Sequence, residues 1–390
     1  MNTAKQHFGF SPKIIVLAVL AAFGPAHAEE GADDIAQLIK PESSVSIGIG
    51  GSTGDDRNDR SIFGQYNGLR DHDYNLLLDI DYVNRNDETG QWTSLQARNL
   101  GLDNREAGIL LQKQGDWKLS ADYNEITKHD IRTVNTADTG VGSTHPVINV
   151  LGTNKSAAGT GTDHDFELRR QGITLSGEKW FTPNLQFEVS FKNEEKDGER
   201  RTGRGYDCAT AYVCSNNGLA NPGAPGSVDT NSNATHVRWA TLMIAEPIDT
   251  TTRQVDVKLN WSGDKFLLSA GYYGSFFSNS DGTVTATVPN TLLNATRSGL
   301  ATLAPAVAGG TSLRNVLQLP MALPPDNQAH QFYLDGFYAF TPTTRATAKI
   351  SYAHATQDDS FAGNGLTGAP AGRTDLGGEL NTTLVQFGLT

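Results

Sequence analysis

Long apolar runs, cysteine and basic charge are all scarce in this sequence. Beyond Phe23 no stretch approaches the twenty or so uninterrupted apolar residues that a membrane helix needs, and mean hydropathy is −0.39. Helical membrane spans are therefore excluded. Hydrophobic residues are only 37% of the chain, few for the Leu/Ile/Val-rich facing layers of a soluble sandwich. A formal net charge of −12 leaves no basic stripe to displace phosphate counterions, which argues against a nucleic-acid partner. No Cys-x-x-Cys-His occurs, so the chain attaches no c-type haem of its own. No His-Glu-x-x-His and no phosphate loop occurs either, and nothing nominates a nucleophile.

The two cysteines, Cys208 and Cys214, lie six positions apart in a Gly/Asn-rich stretch. In an oxidising compartment that spacing favours a disulfide pinning a small loop over a metal or redox site, which would want further ligands nearby. Export is expected. Lys5 and Lys13 precede an apolar run over 14–23 and then Ala26-His27-Ala28, the pattern of a signal peptide over residues 1–28 cleaved near Ala28. Residues 29–43 then form a periplasmic N-terminal segment and 44–390 a membrane domain.

What the sequence has in abundance is two-residue alternation. In QVDVKLNW, Val255, Val257, Leu259 and Trp261 alternate with Gln254, Asp256, Lys258 and Asn260; in LQFEVSFK, Leu185, Phe187, Val189 and Phe191 alternate with Gln186, Glu188, Ser190 and Lys192. Such strands have one apolar and one polar face. Twelve segments of this kind are predicted, at about 44–52, 74–86, 91–102, 105–115, 116–127, 165–180, 184–195, 252–262, 265–278, 329–341, 344–357 and 380–390. Many are about ten residues long, enough for a tilted strand to cross a bilayer.

The connections sort into two kinds. Short turns fall at 86–90, 115–116, 181–184, 262–264 and 341–344, whereas long Gly/Ser/Thr/Asn-rich segments fill 128–164, 196–251, 279–328 and 358–379. If the first strand runs outward from the periplasm, every one of those short turns is periplasmic and every one of those long segments extracellular. Residues 63–71 belong to the first outer loop in this scheme, because another strand there would break the parity. The predicted fold is all-β: a transmembrane antiparallel up-and-down β-barrel with long extracellular loops and short periplasmic turns. Tyr272, Phe276, Phe332, Tyr338 and Phe340 fit aromatic girdle positions at the membrane interfaces.

On the polar face, Asp79, Asp81, Arg98, Lys118, Asp122, Glu188, Lys192, Asp256 and Lys258 mix both signs and are candidates to line the lumen. A hydrated lumen with charges paired across strands accounts for any one of them. Asp71-His72-Asp73, Asp163-His164-Asp165 and the acidic 54–60 have ligand-type side chains, but clustered acids at loops are usually just solvated, and no metal is expected.

KPESSVSIGIGG (40–51), FGQYNGL (63–69), RNLGLDNRE (98–106), QGDWKLSADYNEI (114–126), VNT (134–136) and EPIDTTTRQVDVKLNW (246–261) together resemble the outer-membrane proteins of the MtrB/PioB type, which accompany decahaem cytochromes. The resemblance implies a non-enzymatic barrel that sheathes a periplasmic multihaem c-type cytochrome in its lumen, with haem carried by that partner. On that resemblance, electrons would cross the outer membrane through the partner's haems, often to an extracellular cytochrome. The polar face as a whole would then be its docking wall. Some members carry a Cys-x-x-Cys near the mature N-terminus, and this chain has none.

Size constrains this implication. Twelve strands tilted by about 40° close to a backbone diameter of only ~24 Å, whereas a folded cytochrome is ~30 Å or more across. About twenty-six strands would give ~50 Å. The chain is therefore expected to be the N-terminal part of a larger barrel of more than twenty strands, with a complete twelve-stranded barrel as the alternative. The competing function is a porin passing small polar solutes through a water-filled lumen; an outer-membrane lipase or protease lacks a visible catalytic set.

Overall fold

The computed structural model describes residues 42–51, 62–69, 74–147, 161–207, 239–287, 291–293, 300–302, 320–363 and 371–390. The expected signal peptide, most of the N-terminal segment, both cysteines, residues 54–60 and Asp71-His72-Asp73 lie outside them.

Twelve strands form one antiparallel sheet in which each strand pairs with its sequence neighbours. They are β1 (Ser44–Gly50), β2 (Asn75–Asn86), β3 (Gln91–Arg98), β4 (Glu106–Lys113), β5 (Trp117–His129), β6 (Glu167–Thr182), β7 (Leu185–Asp207), β8 (Trp239–Gly263), β9 (Phe266–Asn279), β10 (Asn327–Thr341), β11 (Thr344–Gln357) and β12 (Gly378–Leu389). All twelve predicted segments are strands. Among the described residues no ladder joins β1 to β12, so both are sheet edges. No helix among them is long and apolar enough to cross a membrane.

The turns follow the predicted parity. Connections after β2, β4, β6, β8 and β10 are at most four residues long, and all long connections lie at the other end. Local chemistry makes the tight turns. After β2 the Asn86 side chain accepts from the amides of Glu88 and Thr89, and Gly90 takes φ 68°, a conformation glycine adopts at little cost. Residues 62–69 form a short helical turn followed by further turns, not a strand, as the parity requires.

One face of the sheet is apolar and bare. Leu119, Leu175, Val189, Leu259, Phe332, Ile350 and Phe387 stand on it in adjoining rows and are all exposed. The buried apolar residues are few and small in total, with most at the long-loop end, such as Ile244, Val284 and Leu323. In water such a chain would expose more apolar surface than it covers, whereas a bilayer covers it. The aromatic residues expected at the membrane interfaces lie on this face: Tyr272 packs against its Cα partner Phe332, and Tyr338 packs edge-on against Phe340 toward the short-turn end.

The largest departure from expectation is strand length. β7 has 23 residues and β8 has 25, about 75–85 Å of chain, so the connection expected over 196–251 narrows to 208–238. Past Phe191 both faces of β7 turn polar, and in β8 the alternation breaks down over 246–254, but cross-strand pairs continue the ladder: Arg169 with Asp197 at 3.1 Å and Arg200 with Glu246 at 2.6 Å. Gly198, at φ 125°, lies where β6 ends its pairing with β7. β3 likewise stops at Arg98 rather than 102, because Asn99 takes φ 55° and turns the chain. Outer loops also fold on one another. Val147 bridges Thr287, Thr285 N donates to Thr144 O, and Leu323 N donates to Gly282 O.

Candidate functional site

The face opposite the apolar band carries the chemistry. Register places the sequence-predicted residues on it in three rows. Lys118, Glu178, Glu188 and Lys258 are successive Cα partners across β5–β8; beside them run Ser120, Ser176, Ser190 and Asp256; the third row holds Asp81, Gln96, Gly108, Asp122, Thr174, Lys192 and Gln254. Asp79 and Arg98 share the face two residues from Asp81 and Gln96 respectively. Their common face follows from the pleat, which returns every second side chain to the same side.

Pairing across strands holds most of these charges in place. Lys258 Nζ is 3.0 Å from Glu188 Oε2, and Asn260 Nδ2 donates to Glu188 Oε1 at 2.6 Å. Arg98 bonds Asp81 at 2.6 Å, and Asp79 accepts from the Asn99 amide at 2.8 Å, so this trio ties β2 to the turn after β3. Lys192 lies 2.9 Å from Glu194, which also accepts from Arg170 at 2.6 Å. Asp256 accepts from Tyr333 at 3.3 Å, two strands away. That reach is possible because Gly271 has no side chain: a Cβ there would sit 2.3 Å from the Tyr333 ring.

The serine row makes the wall recede. Lys118, Glu178, Glu188 and Asp256 rim a shallow groove of about 240 Å³ floored by Ser120, Ser176 and Ser190. Both signs of charge stand around it, half exposed, as on a hydrated surface. Glu178, Arg170, Glu194, Asn260 and Tyr333 were not among the predicted residues. Their positions in the same alternation as Ser176, Lys192, Lys258 and Asp335 would have found them.

Asp163, His164 and Asp165 are tied into the outer loops. Asp163 accepts from Asn135 at 2.7 Å, Asp165 from Thr133, and His164 Nε2 meets Glu199 Oε2. Among the described residues no three His, Cys, Asp or Glu side chains converge as metal ligands would.

An antiparallel meander with a bare apolar band, tight turns at one end, long loops at the other and a charged opposite face defines an outer-membrane β-barrel protein. The chain belongs to the MtrB/PioB family of outer membrane beta-barrel porins, which it matches over residues 55–390. It is 24% identical over 388 residues to the outer membrane protein MtrB of Shewanella baltica, covering 91% of this chain and 46% of that protein, so it spans about half the relative's length. Among solved structures, OmpT of Vibrio cholerae is 13% identical with a TM-score of 0.33, covering 89% of this chain and 75% of that one. The FrpB iron transporter of Neisseria meningitidis is 9% identical with a TM-score of 0.38, covering 81% and 42%. At such TM-scores neither likeness bears on function. The protein resides in the outer membrane.

Proposed function

We propose that this chain is a non-enzymatic scaffold that forms wall for a multihaem c-type cytochrome, positioning it to pass electrons across the outer membrane. The observation that carries the reading is the contiguous mixed-charge face opposite the apolar band, from Asp81 to Lys192 and from Lys118 to Lys258, in a chain of the MtrB/PioB family. A surface of paired, half-exposed charges suits a polar protein partner, because it offers many weak, water-tolerant contacts. The haem belongs to that partner, and an extracellular cytochrome would receive or supply electrons at the long-loop end. The twelve strands would sheathe a folded cytochrome only within a wider wall, since that bore needs about twice as many.

The test is extraction of the native outer membrane in mild detergent, followed by purification of this chain and native mass spectrometry with haem absorbance. Co-elution of a multihaem polypeptide at fixed stoichiometry is expected. A haem-free preparation that conducts ions in planar bilayers would overturn the reading in favour of the porin, which the same hydrated face supports as the second possibility.

A further inference from the structure

His330 on β10 and His354 on β11 are directly opposed Cα partners. Both belong to the apolar face, one row above the aromatic row Tyr272, Phe332 and Tyr352 and toward the long-loop end. Directly opposed residues of an antiparallel pair hold their Cβ atoms about 4.5–5.5 Å apart, within the span of two imidazoles sharing one ion. Neither residue has a place in the charged wall described above.

The surroundings fix how the rings present themselves. His354 Nδ1 lies 2.8 Å from Asn381 Oδ1 on β12, and His330 Nδ1 lies 2.8 Å from the Tyr272 hydroxyl on β9. The Asn381 amide is oriented by two further bonds: its Nδ2 donates to Glu379 Oε1 at 2.7 Å, and its Oδ1 accepts from Tyr352 at 2.8 Å. Asn381 Oδ1 can only accept, so the proton of neutral His354 is on Nδ1 and the lone pair on Nε2. The Tyr272 hydroxyl can donate or accept; in the tautomer where His330 Nδ1–H donates to it, the lone pair of His330 is on Nε2 as well. These anchors lie on the outer flanks of the pair, one toward β9 and one toward β12. Because the two nitrogens of an imidazole face nearly opposite ways, each Nε2 is turned back toward the seam between β10 and β11. Gly274, the Cα partner of His330 on β9, adds no side chain there, and the Tyr272 hydroxyl fills its place. A second hydrogen bond that sets the tautomer and aim of each ring is the usual support of a histidine metal ligand.

We propose that His330 and His354 form a two-imidazole site for a borderline divalent cation of the copper, nickel or zinc class at the outer rim of the barrel. Two nitrogen ligands leave the remaining positions to water, and imidazole selects this class over calcium or magnesium.

Cu²⁺ is the probe, added to the full chain purified in detergent without a histidine tag. One saturable site with nitrogen hyperfine structure in the electron paramagnetic resonance spectrum is expected. H330Q and H354Q should each weaken it by about 10-fold or more. N381L keeps both imidazoles but loses the orienting bond, and should weaken it about 10-fold. Wild-type affinity in both histidine variants, which would place the ion on another histidine, overturns the proposal, as does the absence of a saturable site in a chain that shows its native strand content by circular dichroism.

Discussion

Lys258 Nζ stands 3.0 Å from Glu188 Oε2, and the next Cα pair along the same ladder is Leu259 with Phe187. One step along two strands therefore exchanges an ion pair for an apolar pair. The ion pair is about one-third exposed and the apolar residue Leu259 is bare. A soluble protein would bury the Leu259 side; here that side is bare, as a lipid-facing surface would be, and the ion pair stands on the opposite face of the sheet.

The adjoining residues Val257 and Asp256 test that assignment. Val257→Arg places a charge on the lipid side near the middle of the band and is expected to destabilise the folded barrel by about 2–4 kcal/mol. Asp256→Arg, on the other face, should cost no more than about 1 kcal/mol. Urea titrations in phospholipid vesicles measure both, and equal costs would contradict the sidedness.

The Lys258–Glu188 pair itself is expected to contribute little. Its partners are about one-third exposed, so a double-mutant cycle with Lys258→Met and Glu188→Gln should give a coupling below about 1 kcal/mol that shrinks in high salt. A coupling above about 2 kcal/mol would mean that this face is dry rather than hydrated.

Where an outward strand face meets lipid, the period-two pattern is strong. That is why β5, β9 and the membrane-level parts of β7 and β8 could be read from residues such as Leu185 to Phe191 and Val255 to Trp261. Beyond Asn193 the period-two pattern is lost, and nothing in NEEKDGERR distinguishes a strand from a loop; only pairing with the 239–251 stretch makes it one. The polar face was legible by the same parity, but its groove was not, since Ser120, Ser176 and Ser190 come together through register. The opposition of His330 and His354 was hidden for that reason too.

Gly198 marks the point where β6 leaves the ladder. Its φ of 125° is closed to other residues, and a Cβ there would lie 2.2 Å from the Glu167 carbonyl oxygen. Gly198→Ala is therefore expected to cost about 1–3 kcal/mol, confined to the long-loop end. Amide exchange should rise across 167–171 and 194–200 while 185–191 stays protected. Unchanged exchange would mean that the backbone relaxes there without cost.

Acid should loosen the turn between β3 and β4. Asp103 Oδ2 lies 3.5 Å from His129 Nε2, and the hydrogen bond to His129, helped by its charge and by Arg105, holds the Asp103 carboxyl below the usual carboxylate range against a smaller opposing effect of burial. A depressed carboxylate pKa stabilises the folded state fully above the unfolded value, about pH 4, and that contribution drains away as pH falls through the folded value. Amide protection of residues 99–105 in the wild type should thus decline as pH falls below about 4. Asp103→Asn lacks the titrating group, so it should begin at a lower protection and show a flatter acid limb. An identical acid slope in the two proteins would assign the loosening to other carboxylates.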